Sequence, residues 1–294
     1  MIFTTTHITT YLYSEPVPIC HTQVHLAPRA SPGQRVLSHE LHVSPEPAFS
    51  TSRTDYFGNE ITCFSIHEPH QTLTISAASE LDISPEERLA AASTPPWEQV
   101  RDQALARSEE AGADEESFRA TEFLFRSPFV KIGLEFAAYA EPSFQPGRPI
   151  VEAGFDLCHR IFTEFRYDPR ATTISTPVDE VLKSRVGVCQ DFAHLMISCL
   201  RSLRLPARYV SGYLRSGENT HGAEASHAWC AVFCPGLGWL EFDPTNDVIP
   251  QGNHATLAWG RDYSDVAPVK GVAVGGGDQL INVSVQVVPQ PAAS

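Results

Sequence analysis

The sequence predicts an α+β fold in two parts: an antiparallel β-sandwich-like domain over residues 1–92, then a domain over 93–294 with helices packed on an antiparallel sheet. Three observations predict it. Residues 1 to about 88 alternate in the manner of strands and show no helical period. The composition changes sharply at Ser93-Thr94-Pro95-Pro96-Trp97. Beyond that point helical stripes come first and short strands follow.

In the first part, segments 2–13, 20–28, 34–44, 55–66 and 70–82 are rich in Thr, Val, Ile, Tyr and Phe. Turn residues such as Pro32-Gly33 separate them, and Gly58-Asn59 between TDYF and EITCF reads as a two-residue hairpin turn. From 97 to 139 the pattern is helical and charged, then aromatic. A helix over 149–165 follows from the 3–4 spacing of Ile150, Val151, Gly154, Leu157, Cys158, Ile161, Phe162 and Phe165. A short helix is expected from Thr176 as N-cap with Pro177 at its first position. The next helix runs from Cys189 to Arg204, before Pro206, with strands at 206–214, 227–234 and 238–243. The core motifs lie within 150–250. The tail ends in an alternating strand over 278–288, with Ile281, Val283, Val285 and Val287 on one face. Gly275-Gly276-Gly277 lacks the strand–turn–helix setting of a phosphate loop and reads as a flexible bend.

Composition narrows the function classes. Hydrophobic residues at 42% and charged residues at 19% describe an ordinary globular chain. A net charge of −14 opposes binding to nucleic acid or to an anionic membrane surface. No stretch has the ~20 apolar residues of a membrane span, and the first residues carry no basic, apolar leader pattern. The 7 cysteines include no CxxC pair and do not form a disulfide framework. A reducing cytoplasm, where a thiol stays nucleophilic, is the expected compartment.

The chemistry converges on Cys189. A glycine-containing turn, Gly187-Val188, delivers it to the start of a helix. There the positive end of the dipole and the unpaired N–H groups favour a thiolate and an oxyanion on an attacked carbonyl. Phe192, Ala193, Met196, Leu200 and Leu203 anchor that helix in the core. A thiolate nucleophile needs a base, and the base needs an orienting acceptor. His227 opens one strand and Asp243 closes the next, so an imidazole and a carboxylate can meet beside the sulfur.

The run GVCQDFAHLMISCLRSLRLPARYVSGY, then SHAWCAVFCPGLGWLEFDPTND, resembles the core of the transglutaminase-like superfamily. The matching features are Gly-x-Cys at a helix start, Leu-Pro-Ala-Arg before a strand ending Ser-Gly-Tyr, His-Ala-Trp, and Trp-x-x-x-Asp-Pro-Thr-Asn. They span residues 187–247. The N-terminal motifs LAPR, DYFGN and HEPH, and the tail WGRDYSDVAPVKGVAVGGG, are similar to a bacterial branch of that family with a preceding β-domain. The resemblance implies a papain-like core and acyl transfer through a thioester, with Cys189 as nucleophile, His227 as base and Asp243 as orienter. Water as acceptor gives hydrolysis of a peptide, isopeptide or other amide; an amine gives transamidation. A silent scaffold binding a peptide or protein is the reading from another class. The family's oxyanion-donating tryptophan is replaced by Tyr167, whose phenol can donate the same kind of bond. No cofactor is implied, and no calcium loop has a counterpart.

Other residues weigh less. Trp229, Trp239, His221 and Glu224 are candidates for lining the cleft. Cys230 and Cys234 lack a second pair for zinc, and His39 and His42 point to opposite strand faces. His67 and His70 read as surface residues of a turn. His194 falls in a polar stripe with Asp191, Ser198 and Arg201, read as a solvated helix face.

Overall fold

The structure is a computed structural model that describes residues 1–84, 90–107, 115–215, 220–222 and 225–290. Six strands come first: β1 (Ile2–Val17), β2 (Ile19–Val24), β3 (Gln34–Ser44), β4 (Phe49–Thr54), β5 (Glu60–Ile66) and β6 (His70–Ile83). Then come α1 (Trp97–Arg107), α2 (Glu115–Ala120), α3 (Leu134–Ala140), α4 (Ile150–Glu164), β7 (Arg166–Tyr167), α5 (Val178–Ser184), β8 (Val186–Gly187) and α6 (Cys189–Ser202). The chain continues through β9 (Ala207–Leu214), β10 (His227–Cys234), β11 (Gly238–Phe242), β12 (His254–Gly260), α7 (Tyr263–Val266), β13 (Val269–Val274) and β14 (Gln279–Pro289).

The first strands form two antiparallel sheets, ordered β14-β1-β6-β3 and β13-β2-β5-β4. Val17, Cys20, Val24, Phe64, Ile66, Leu73 and Ile75 fill a core of their own, as in a sandwich of two alternating sheets. The sandwich is built from both ends of the chain. The C-terminal strand expected in the second domain pairs instead with β1, from Phe3↔Pro289 to Tyr13↔Gln279. The three glycines before it, all at positive φ, carry the chain from one sheet to the other.

Two local expectations shift. Gly58-Asn59 is not a two-residue turn: β4 ends at Thr54, and Asp55 organises a longer loop by accepting from the N–H groups of Phe57 and Asn59. The β4 strand escapes the sequence pattern because all six of its residues are exposed and carry no apolar alternation. In α5, Pro177 occupies the N-cap position and Thr176 lies one residue outside it, accepting from the Thr173 N–H.

The second core sheet has the order β11-β10-β9-β12. The helix α6 packs on it, and the stripe of α4 packs as predicted, except that Phe162 stays 41% exposed. The polar face of α6 is not solvated. Asp191, His194, Ser198 and Arg201 are all buried, because loops close over that side and supply partners. Arg201 donates to the carbonyls of Phe125, Ala207 and Arg261, and His194 accepts from the Tyr263 N–H. Desolvation pushes the His194 imidazole well below its ordinary value. His70, too, is buried, packed edge-on to Tyr13, while His67 is exposed.

The edge of the core sheet is where the two parts meet. An unpaired edge strand presents open N–H and C=O groups, and on β12 side-chain amides from the sandwich take them. Gln34 accepts from the Thr256 N–H at 2.8 Å and donates to the Thr256 carbonyl at 2.7 Å. Asn59 does the same at Trp259, at 3.0 and 2.9 Å. Arg29 lies 3.2 Å over the Trp259 ring, and Arg208 lies 3.7 Å from it. The LAPR and DYFGN motifs therefore hold β12. Gln34→Ala removes the partners of both the N–H and the C=O of Thr256 and is expected to destabilise the fold by about 1–3 kcal/mol. A lowered urea midpoint would show this; an unchanged midpoint would contradict the grip.

Candidate active site

Cys189 opens α6, and the turn before it is held tightly. The Asp191 carboxylate accepts from the Val188 N–H at 2.9 Å and from the Thr172 hydroxyl at 2.7 Å. Gly187 is required there, since a Cβ would lie 2.8 Å from Cβ of Asp191. The same residue pairs with Tyr167 in the β7–β8 ladder. That pairing brings the Tyr167 ring to the sulfur's side of the molecule. Cys189 is the cysteine at the wall of a cavity of about 250 Å³, lined also by Tyr167, Tyr209, Ser211, His227 and Tyr263. The other deeply buried thiols, Cys158, Cys199 and Cys230, are pushed up by burial and hold their protons.

His227 begins β10 and is fully buried with Asp243, which follows β11. Their Nε2···Oδ2 distance is 2.8 Å. An ionised carboxylate only accepts, so Nε2 carries the proton and Nδ1 is the nitrogen left for the thiol. Gly222, at φ +83°, keeps that side of the ring open: a Cβ there would sit 2.7 Å from Nδ1. Burial opposes the imidazolium. The Asp243 charge and hydrogen bond, with a smaller contribution from the Cys189 thiol, outweigh it and push His227 up to about 10. Burial likewise opposes the Asp243 carboxylate, but His227 and His254 hold it well below the usual range.

Asp243 is itself fixed on every side. Its Oδ1 accepts from the Thr245 N–H at 3.0 Å, and its Oδ2 from Asn246 Nδ2 at 2.9 Å and His254 Nε2 at 3.1 Å. Asn246 also accepts from the His221 N–H at 2.9 Å, and so ties the loop before β10 to the carboxylate. His221 does not itself line the cavity; it stacks on Tyr167, which does, with ring centres 4.8 Å apart.

Comparison with known proteins adds to this geometry. Residues 3–82 match the bacterial transglutaminase-like N-terminal region, and residues 137–244 match the transglutaminase-like superfamily. An uncharacterised protein of Mycobacterium tuberculosis is 41% identical over 97% of this chain and 91% of its own length. The chain belongs to the transglutaminase-like superfamily. A solved structure from Cytophaga hutchinsonii, provisionally described as a cysteine protease, matches 100% of this chain and 92% of its own. At a TM-score of 0.77 and 21% identity, that likeness establishes the fold. A protein-glutamine gamma-glutamyltransferase of Pseudomonas aeruginosa is 33% identical over 130 residues, 38% of this chain and 20% of that protein.

Within this transglutaminase-like fold the residues read from sequence separate. Cys189, His227 and Tyr167 share the cavity wall, and Asp243 lies behind His227. Trp229 and Trp239 do not line the cavity. Trp229 is fully buried, with its ring 5.1 Å from His254 and 6.1 Å from His227, and its Nε1 donates to Glu241. It shields the imidazoles from behind. Trp239 packs among Phe123, Phe233 and Arg208, because the outer face of the sheet needs a cover of its own. Glu224 lies outside the described residues. Among the described residues, His227, Asp243 and His254 have ligand atoms within 4.8 Å of one another, but their contacts are those of two imidazoles donating to one carboxylate oxygen. His254 and Asn246 were not singled out from sequence. The signal for Asn246 was present in the DPTN motif; His254 offered only a histidine opening a short alternating strand.

The pair makes stability depend on pH. His227 is raised above 6.5, so its share is complete below pH 6.5 and is lost as pH rises toward 10. Asp243 is lowered from 3.8, so its share is complete above that pH and is lost as pH falls below it. Asp243→Asn is therefore expected to cost about 3 kcal/mol between roughly pH 4 and 6.5, and clearly less near pH 10. Urea melts across that range test it; a cost that does not change with pH would contradict it.

Proposed function

We propose that the protein is a cysteine-dependent acyl-transfer enzyme that hydrolyses an amide bond in a peptide or protein. The observation that carries this reading is the shared cavity wall of Cys189 and His227, with Asp243 bonded behind the imidazole. His227 takes the thiol proton at Nδ1, and the raised basicity of that ring suits it to the role of base. The thiolate attacks the carbonyl carbon, and the C=O electron pair moves onto oxygen. We assign that oxyanion to the first-turn N–H groups of α6 and the Tyr167 hydroxyl, a reading supported by the cavity wall that Tyr167 and Cys189 share. The C–N bond then breaks, and His227 protonates the departing amine. His227 next takes a proton from water, which attacks the thioester and releases a free acid and the thiol.

Hydrolysis is favoured over amine transfer by the hydroxyl-bearing walls of the cavity, Tyr167, Tyr209, Ser211, Ser226 and Tyr263, which suit water. The Pseudomonas relative keeps transamidation as the second reading. Mass spectrometry of an amide substrate incubated with an excess primary amine separates the two: a free acid supports hydrolysis, and an amine conjugate replaces it with transfer. A test of the nucleophile needs no substrate. Cys189 is expected to react with iodoacetamide at neutral pH well ahead of the other thiols, and His227→Ala is expected to slow it. A rate equal to that of Cys63, with no effect of His227→Ala, would favour a silent scaffold.

Tyr167→Phe is expected to lower kcat for hydrolysis of an activated ester by about 10²-fold and to leave alkylation of Cys189 unchanged, since alkylation builds no oxyanion. Equal losses in both reactions would remove Tyr167 from that role.

A further inference from the structure

We propose that His254 is a positioning residue, holding the Asp243 carboxylate at the rotation in which it meets His227. This rests on the triad reading above. Asp243 Oδ2 is shared by two imidazoles, His227 at 2.8 Å and His254 at 3.1 Å. Since the carboxylate cannot donate, His254 presents Nε2–H to it. Oδ1 is pinned by the Thr245 N–H and Oδ2 also accepts from Asn246 Nδ2 at 2.9 Å, so His254 shares with Asn246 the task of fixing the turn of the carboxylate, and is the donor supplied from the sheet and not from the turn after β11.

The location of His254 suits this role. It is the first residue of β12, a strand whose outer edge is bound by Gln34 and Asn59 of the sandwich. Its ring is wedged edge-on against Trp229, so the donor has little freedom to follow a shifted acid. A histidine there merely to fill space would need no proton aimed at Oδ2. The sandwich thus acts on the site at a distance, by fixing the strand that carries the donor.

Three substitutions separate a donor from a filler. Gln places an amide N–H near the position of Nε2, Asn falls short of it, and Met keeps volume without a donor. The second-order rate of Cys189 alkylation by iodoacetamide at neutral pH is the readout, with a thermal melt confirming a folded chain. His254→Gln is expected within about twofold of the unaltered protein. His254→Asn and His254→Met, whichever folds, are expected about tenfold slower, the scale on which sub-ångström misplacement of a catalytic group is felt. Wild-type rates for the donor-less variants would overturn the proposal. So would a Gln variant as slow as the donor-less ones, which would assign the effect to packing. His227→Ala serves as the control: if it reacts at the wild-type rate, the triad reading itself fails, whereas a slow His227→Ala beside a fast His254→Met removes His254 alone.

Discussion

A single buried carboxylate organises this molecule. Asp243 is inaccessible to solvent, yet its two oxygens accept from a backbone N–H, an asparagine amide and two imidazoles. An ionised group so deep is costly unless its lone pairs are satisfied. The four donors come from three stretches of chain: the Thr245 N–H and the Asn246 amide from the turn after β11, His227 from the opening of β10 and His254 from the opening of β12. Meeting the demand of one charge fixes where two strands begin and how the loop at His221 is tethered.

The rest of the fold holds the thiol against that centre. The burial of α6 on all sides leaves Cys189 no freedom at the end of its helix, and its polar face is locked by Arg201 and His194 to the segment around α7. The sandwich is part of the same construction. By binding the free edge of β12 through amides that imitate a neighbouring strand, it closes a sheet that would otherwise present open backbone groups. The N-terminal motifs, which carry no chemistry of their own, gain a physical purpose from this contact.

Much of this was legible in sequence because it rests on local rules. The start of α6 at Cys189 followed from a glycine turn, its end from Pro206, and β9, β10 and β11 from the short apolar runs after it. The pairing of His227 with Asp243 followed from chemistry on neighbouring strands. What escaped depends on distant partners. Asp191, His194 and Arg201 spell a solvated stripe unless the loops that cover them are known. The strand β14 looks like any C-terminal strand, and nothing local directs it to β1. His254 is isolated in sequence, 11 residues from the carboxylate it bonds, and only the sheet order brings the two together.

The state of the His227 ring tests this construction most directly. Nitrogen-15 NMR of the imidazoles at pH 8 is predicted to show both nitrogens of His227 protonated. The Nε2–H signal should be strongly deshielded by Asp243, and that signal should vanish in Asp243→Asn. A ring carrying only one proton at that pH, on either nitrogen, would contradict it.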